Sequence, residues 1–169
     1  MILGIDVGSR SGWALARYDG GTVEIVEYGH LVLGRKRGVG ANLDRIRELL
    51  LSFDDPNPLD KTAAWIEGVG FASFRDAHAS YWRIRTLWEV ALGEHGWDAL
   101  GVVPTATLKK YATGRGNADK TQMVKAARES YGIPLWSHAE KEAPPKLAKK
   151  VHEDVADACH VAAYGARMG

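Results

Sequence analysis

The stretch ILGIDVGSRSGWALARY, residues 2–18, decides how this chain folds. Its ends, ILGIDV (2–7) and GWALARY (12–18), are apolar or aromatic runs of strand length, and Gly8-Ser9-Arg10-Ser11-Gly12 between them is a tight turn signal. Two strands joined so closely pair antiparallel. Asp6 is therefore expected at the end of a central strand. Asp19-Gly20-Gly21 marks a second turn, and TVEIVEYGHLVL (22–33) alternates well enough for a third strand, which completes an antiparallel meander.

Beyond the meander the period changes. Leu43, Ile46, Leu49, Leu50 and Phe53 recur at helical spacing between Ala41 and Phe53, before the Asp-Pro-Asn-Pro break at 55–58. AAWIE (63–67) is a short buried-strand candidate that ends on a carboxylate. Tyr81, Ile84, Leu87, Trp88 and Ala91 predict a long helix from about Phe74 to Glu94, and ALGVV (99–103) a last strand before Pro104. Strands that alternate with helices make an α/β domain. Asn117 is the expected cap of a helix that runs to Tyr131 and stops at Gly132 and Pro134. Residues 134–150 read as a loop or arm, and the Ala-rich segment from about 151 to 166 as a closing helix.

The chain has 169 residues, room for one domain, 1–169, with one sizeable core and none for a second nucleotide-binding lobe. A hydrophobic fraction of 46% and a charged fraction of 25% exclude disorder and fibrous repeats. The sole cysteine, Cys159, excludes an internal disulfide framework or a cysteine zinc site, and suits a reducing compartment. No signal-like segment opens the sequence, and no run reaches the ~18 apolar residues of a membrane span. A soluble intracellular protein without membrane contact is expected.

Four carboxylates stand where the surrounding sequence is apolar: Asp6 in ILGIDV, Glu67 in AWIEGV, and Asp154 and Asp157 in EDVADACHVAA. A core-facing carboxylate is costly unless it is paired, hydrogen-bonded or bound to metal. Asp154 and Asp157, three apart on a helix, share a face and repel one another. Divalent cations relieve both problems, and hard oxygen donors without cysteine suit Mg²⁺ or Mn²⁺. Four acids from three segments suit a two-metal phosphodiesterase site. Taken singly, Glu67 also reads as a surface carboxylate, and Asp154 and Asp157 as first-turn acids favoured by the helix dipole. Asp6 has few structural excuses. Glu153 and His152 read as solvated, and His160, one turn past Asp157, could reach the site or sit in the core.

Thr113-Gly114-Arg115-Gly116-Asn117 leads into a helix N-terminus, where free N–H groups favour an anion, and Lys109, Lys110, Arg115 and Lys120 surround it. The alternative is a glycine loop with ordinary surface charge. Trp13, Trp65 and Trp97 are expected in the core. Tyr81, Trp82 and Trp88 on the long helix read first as core packing and second as a dimer or nucleic-acid surface beside Arg75, Arg83 and Arg85. Arg35-Lys36-Arg37 is either a backbone contact or a solvated loop.

GIDVGSRSGWALA (4–16), WIEGV (65–69), LKKYATGRGNADK (108–120) and DVADACHVAA (154–163) together resemble the RuvC family of Holliday junction resolvases, in order and spacing along the whole chain. The resemblance implies an RNase H-like α/β fold, a single domain with a central mixed five-stranded sheet flanked by helices. It implies that Asp6, Glu67, Asp154 and Asp157 are catalytic and hold two Mg²⁺ ions, with Mn²⁺ as substitute. Lys120 joins the catalytic set, and Lys109 and Lys120 lie near the scissile phosphate, with Lys110 as a register-shifted candidate; Arg115 of the glycine loop, read from the residues themselves, is a further DNA-binding candidate. It also implies a homodimer that nicks both strands of a four-way junction and leaves 5′-phosphate and 3′-hydroxyl ends, in the cytoplasm of a bacterium or a phage-infected host. Val7 departs from the family's proline. The family's aromatic after the glutamate is displaced, with Phe71 or Phe74, beside Arg75, as the DNA-contacting counterpart. The long 134–150 segment is similar to that of phage-encoded relatives.

Other classes share parts of these motifs. A YqgF-like RNA-processing nuclease has a similar opening but is usually shorter. Actin-like sugar kinases and ATPases share the first turn but need two lobes. A junction-binding protein without catalysis would not need all four acids. Charge is divided to match a nuclease: residues 104–151 hold ten Lys or Arg against four acids, while 1–103 hold eleven against fourteen. A basic phosphate-binding surface beside an acidic metal pocket is compatible with the overall +1.

Overall fold

Alternation buries the first strand on both faces. In β1 (Ile2–Asp6), Leu3 and Ile5 face one side of the sheet and are fully buried, while Gly4 faces the other. The same alternation in β2 (Arg10–Asp19) sends Trp13 and Leu15 to the first side and Ala14 and Ala16 to the second. The computed structural model describes residues 1–53, 63–69, 75–97, 100–135 and 152–168. Its remaining strands are β3 (Thr22–Val32), β4 (Ala63–Glu67) and β5 (Leu100–Val103), and its helices α1 (Val39–Ser52), α2 (Arg75–Glu94), α3 (Thr105–Thr113), α4 (Lys120–Tyr131) and α5 (Glu153–Met168). A short 3₁₀ turn holds Arg35–Arg37.

Among the described residues the sheet has five strands in the order β3-β2-β1-β4-β5. The first three form the expected antiparallel meander, and β4 and β5 run parallel to β1 and to each other. Large side chains fill one face, where Ile46, Leu50 and Phe53 of the α1 segment and Ile84, Leu87 and Trp88 of α2 meet Leu3, Ile5 and Leu15. The other face is packed with small ones, Ala14 and Ala16 against Ala156, Ala158, Cys159 and Ala162 of α5. Small residues allow close approach. A methyl group on Gly4 would collide with the backbone of Ala158 and Ala162, and one on Gly12 with the backbone of Asp154. Both collisions lie along one line, so α5 is pressed onto β1 and β2 with its first turn at the end of β1.

Three sequence expectations change. The first turn is confined to Gly8 and Ser9, because Arg10, Ser11 and Gly12 already pair in β2. Helix α3 follows Pro104 where no helix was expected; only Leu108 of it is fully buried, which leaves little periodic signal. The cap of α4 is Asp119 rather than Asn117, since Asp119 accepts from the Gln122 N–H at 2.8 Å while the Gln122 side chain accepts from the Asp119 N–H at 2.9 Å. Gly132, with φ 67°, closes that helix as expected. Phe71, Phe74 and residues 136–150 of the expected arm lie outside the described residues. Among those described, no helix is long and apolar enough to cross a membrane.

Candidate active site

Parallel pairing brings the first two acids together. Ile5 lies opposite Ile66, so the next residues, Asp6 and Glu67, leave neighbouring strands at the same end of the sheet. Asp6 also pairs with Gly12, on which the first turn of α5 rests. Asp157 thereby lies over both strand ends. Ligand oxygens of Asp6, Glu67 and Asp157 all fall within 4.8 Å of one another, a spacing at which three carboxylates could hold a divalent cation. Asp154, one turn earlier, lies beside this trio, close enough to act on Asp6 electrostatically.

The trio lines a cleft of about 290 Å³, walled also by Tyr81, Thr105, Lys109 and Lys120. Tyr81 donates its hydroxyl to the Glu67 carbonyl at 2.9 Å, and Thr105 donates to the Gly68 carbonyl at 2.8 Å. These bonds tie α2 and α3 to the end of β4. Lys120 reaches Glu153 at 3.7 Å with its side chain 63% exposed, so its ammonium stands at the mouth of the cleft. Lys109 lines the cleft, whereas Lys110 and Arg115 are exposed and do not line it.

Electrostatics show what the cluster lacks. Burial raises the Asp6 carboxyl well above its ordinary range, and Glu67, Asp157 and Asp154 raise it further against the opposing charge of Lys120. Asp157 is pushed up to about 8, by burial first and Glu67 next. Burial also raises Glu67, although the nearby Thr105 hydroxyl, Lys109 and Lys120 oppose it. Burial raises Asp154 against Lys120 and Arg10. For Lys120 burial acts downward, but the surrounding acids outweigh it and raise its pKa. Among the described residues the excess negative charge has no full partner, which is the condition a hard divalent cation relieves.

Other expected residues fall elsewhere. His160 does not reach the acids. It is 1% exposed, with Nε2 3.0 Å from the Met123 carbonyl and Nδ1 3.0 Å from the Tyr131 hydroxyl. A carbonyl can only accept, so Nε2 carries the proton and the Tyr131 hydroxyl donates to Nδ1. Burial then lowers the imidazole to about 4, and it stays neutral. His152 and Glu153, expected in solvent, are buried and half-buried, because the close seat of α5 draws in its first turn. The anion site expected at the start of α4 is changed by its true cap, since the Asp119 carboxylate itself bonds a free N–H there.

The aromatic stripe of α2 divides. Trp88 is in the core with its Nε1 donating to Ser11 Oγ at 3.2 Å, Tyr81 borders the cleft, and Trp82 is 45% exposed under the Arg85 guanidinium. Trp13 and Trp97 are buried and Trp65 is half-buried. Arg83, Lys36 and Arg37 are exposed, and Arg75 opens α2. Tyr81 and Thr105 were not anticipated as cleft residues. Tyr81 reads first as core packing and only second as a dimer or nucleic-acid surface, and Thr105 lies on the unexpected helix.

A mixed five-stranded sheet with carboxylates at the adjacent ends of β1 and β4 and on the closing helix defines an RNase H-like α/β protein. Among solved structures, the chain is similar to Thermus thermophilus RuvC, at a TM-score of 0.71 and 21% identity over 99% of this chain and 96% of that one. It is likewise similar to T. thermophilus RuvC in complex with Holliday junction substrate, at a TM-score of 0.72 and 20% identity over 99% and 95%. Searches by sequence found no matching family model and no matching curated protein.

Proposed function

We propose that this protein is a metal-dependent, structure-selective endonuclease that resolves four-way DNA junctions or other branched DNA by paired nicks. The observation that carries this reading is the meeting of Asp6, Glu67 and Asp157 within 4.8 Å at one end of a RuvC-like sheet. One of the two similar RuvC structures is a complex with Holliday junction substrate. Asp6, Glu67, Asp157 and the adjacent Asp154 would hold Mg²⁺ or Mn²⁺, two ions per site. Bound there, such ions lower the pKa of water and steady charge on the leaving oxygen of a phosphodiester.

The chain's own side chains have separate tasks. Lys109 and Lys120 hold the non-bridging oxygens of the scissile phosphate at the cleft they line. Tyr81 and Thr105 fix the end of β4, so that Glu67 meets its ligand without reorganisation. Attack by water on phosphorus breaks the bond to the 3′ oxygen and leaves 5′-phosphate and 3′-hydroxyl ends. We assign the working unit as a homodimer of single-domain chains acting in the cytoplasm, with Arg115, Lys110, Arg75, Phe71 and Phe74 on the DNA side. Exposed Trp82 and Val90, two turns apart on α2, supply an apolar stripe for such pairing.

The test is cleavage of a labelled four-way junction, a linear duplex and a structured RNA in Mg²⁺, in Mn²⁺ and in EDTA. Paired nicks confined to the junction and lost in EDTA are expected. Binding without cutting in either metal overturns the catalytic assignment, and preferential cutting of the RNA moves it to a YqgF-like RNA nuclease.

A further inference from the structure

A second cavity, of about 450 Å³, opens on the other side of the strand end from the Lys109 cleft. Asp6 and Val7 line both cavities, so the two adjoin at the end of β1. The second is completed by Gly8, Ser9, Arg10, Glu153 and Asp154. Among the described residues Arg10 is its one lining cation. It is exposed, and among the described residues no carboxylate lies within ion-pairing distance of its guanidinium, although its field reaches Asp154.

We infer that Arg10 forms a second phosphate site, which takes a backbone phosphate flanking the scissile one on the same nucleic-acid strand. This rests on the proposed nuclease reading, under which Asp6 and Asp154 are engaged by divalent cations and Arg10 is left as the uncommitted charge of the cavity. A strand lying across the trio has Lys109 and Lys120 on one side and reaches Arg10 on the other. A planar guanidinium suits two oxygens of one phosphate.

The turn that carries Arg10 is pre-organised for this. Ser11 Oγ accepts from the Gly8 N–H at 3.3 Å and from Trp88 Nε1 at 3.2 Å, and donates to the Gly8 carbonyl at 3.0 Å. One donor and two acceptor positions are thus all used, and Ser11 is fully buried. The Ser9 carbonyl accepts from the Leu33 N–H at 2.7 Å. Both flanks of Arg10 are held, so little backbone freedom is lost when it binds.

The experiment measures binding, in Ca²⁺, of a four-way junction and of a single strand of the same sequence, each carrying one neutral methylphosphonate at successive positions around the cut. Arg10→Ala is expected to raise the Kd about tenfold and to flatten the slope of log Kd against log salt by roughly one. Arg10→Lys should recover part of the loss. In the native protein one flanking methylphosphonate should weaken binding, and in Arg10→Ala that same linkage should have no further effect. An unchanged Kd for Arg10→Ala, or a methylphosphonate penalty that persists at every position in the variant, overturns the second site. Loss of junction preference with the Arg10 coupling intact on the single strand counts against the proposed function and leaves the second site standing.

Discussion

Two clusters of titratable side chains meet α5 three residues apart, one half-buried around Asp157 and one buried around His160, and they are opposites. Around Asp157, three carboxylates crowd together and burial raises each of them. Around His160, every hydrogen-bonding position of the imidazole is met by Met123 and Tyr131. The difference separates a group kept for stability from one kept for chemistry. A satisfied buried polar group specifies the core, whereas like charges left unsatisfied store a binding energy that only an added cation can release.

The largest effect that would break this contrast is on catalysis. Asp6→Asn should lower metal-dependent cleavage by on the order of 10³-fold or more while junction binding survives. Cleavage retained in that variant, measured under single-turnover conditions, would show that the trio is not the reacting centre. His160→Ala should do the reverse. It leaves two partners unmet and opens a cavity, and should cost about 2–4 kcal/mol of stability with the cutting rate per folded molecule unchanged. Denaturant unfolding beside a rate measurement separates the two.

Opposite responses to pH sharpen the contrast. Asp157 is raised from an ordinary 3.8 to about 8. Between those values the folded, cation-free protein holds a proton that the unfolded chain has lost, so this group's contribution falls as pH rises. His160 is lowered from 6.5 to about 4, so its contribution is fully present above 6.5 and is lost as pH falls through that window. Asp157→Asn should therefore stabilise the cation-free protein near pH 8, seen as a higher Tm, with the gain vanishing toward acid. Thermal melts at several pH values in EDTA check this, and Mg²⁺ should reverse the order of the two proteins. A pH-independent difference would place the proton elsewhere. The smallest effect belongs to Tyr131→Phe, which removes one donor to His160 and should cost about 1 kcal/mol; a loss as large as that of His160→Ala would mean that the hydroxyl, not the ring, organises the cluster.

Much of the site was legible because chemistry and position coincided. Asp6 and Glu67 each end an apolar strand run, and a carboxylate there needs a reason whatever the fold. The cap of α4 was legible too, since Asp119 and Gln122 stand in capping-box spacing, but Asn117 offers a competing signal two residues earlier. Helix α3 was not, because nine residues with one fully buried side chain carry almost no period. The face of His160 was not either. Three residues along a helix turn a side chain about 60° from its starting direction, and only the angle at which α5 crosses the sheet decides whether that points to the acids or to α4.

By itself the sequence determined the strands, their antiparallel opening and the residue types able to hold a cation, because alternation, turn residues and misplaced charge are local properties. The tertiary structure decided which acids meet. Gly4 and Gly12 let α5 lie against the backbone of β1 and β2, and that contact, made between residues about 150 apart, brings Asp157 to Asp6 and Glu67, sets Asp154 beside them, turns His160 away and leaves Arg10 at the edge of the cluster.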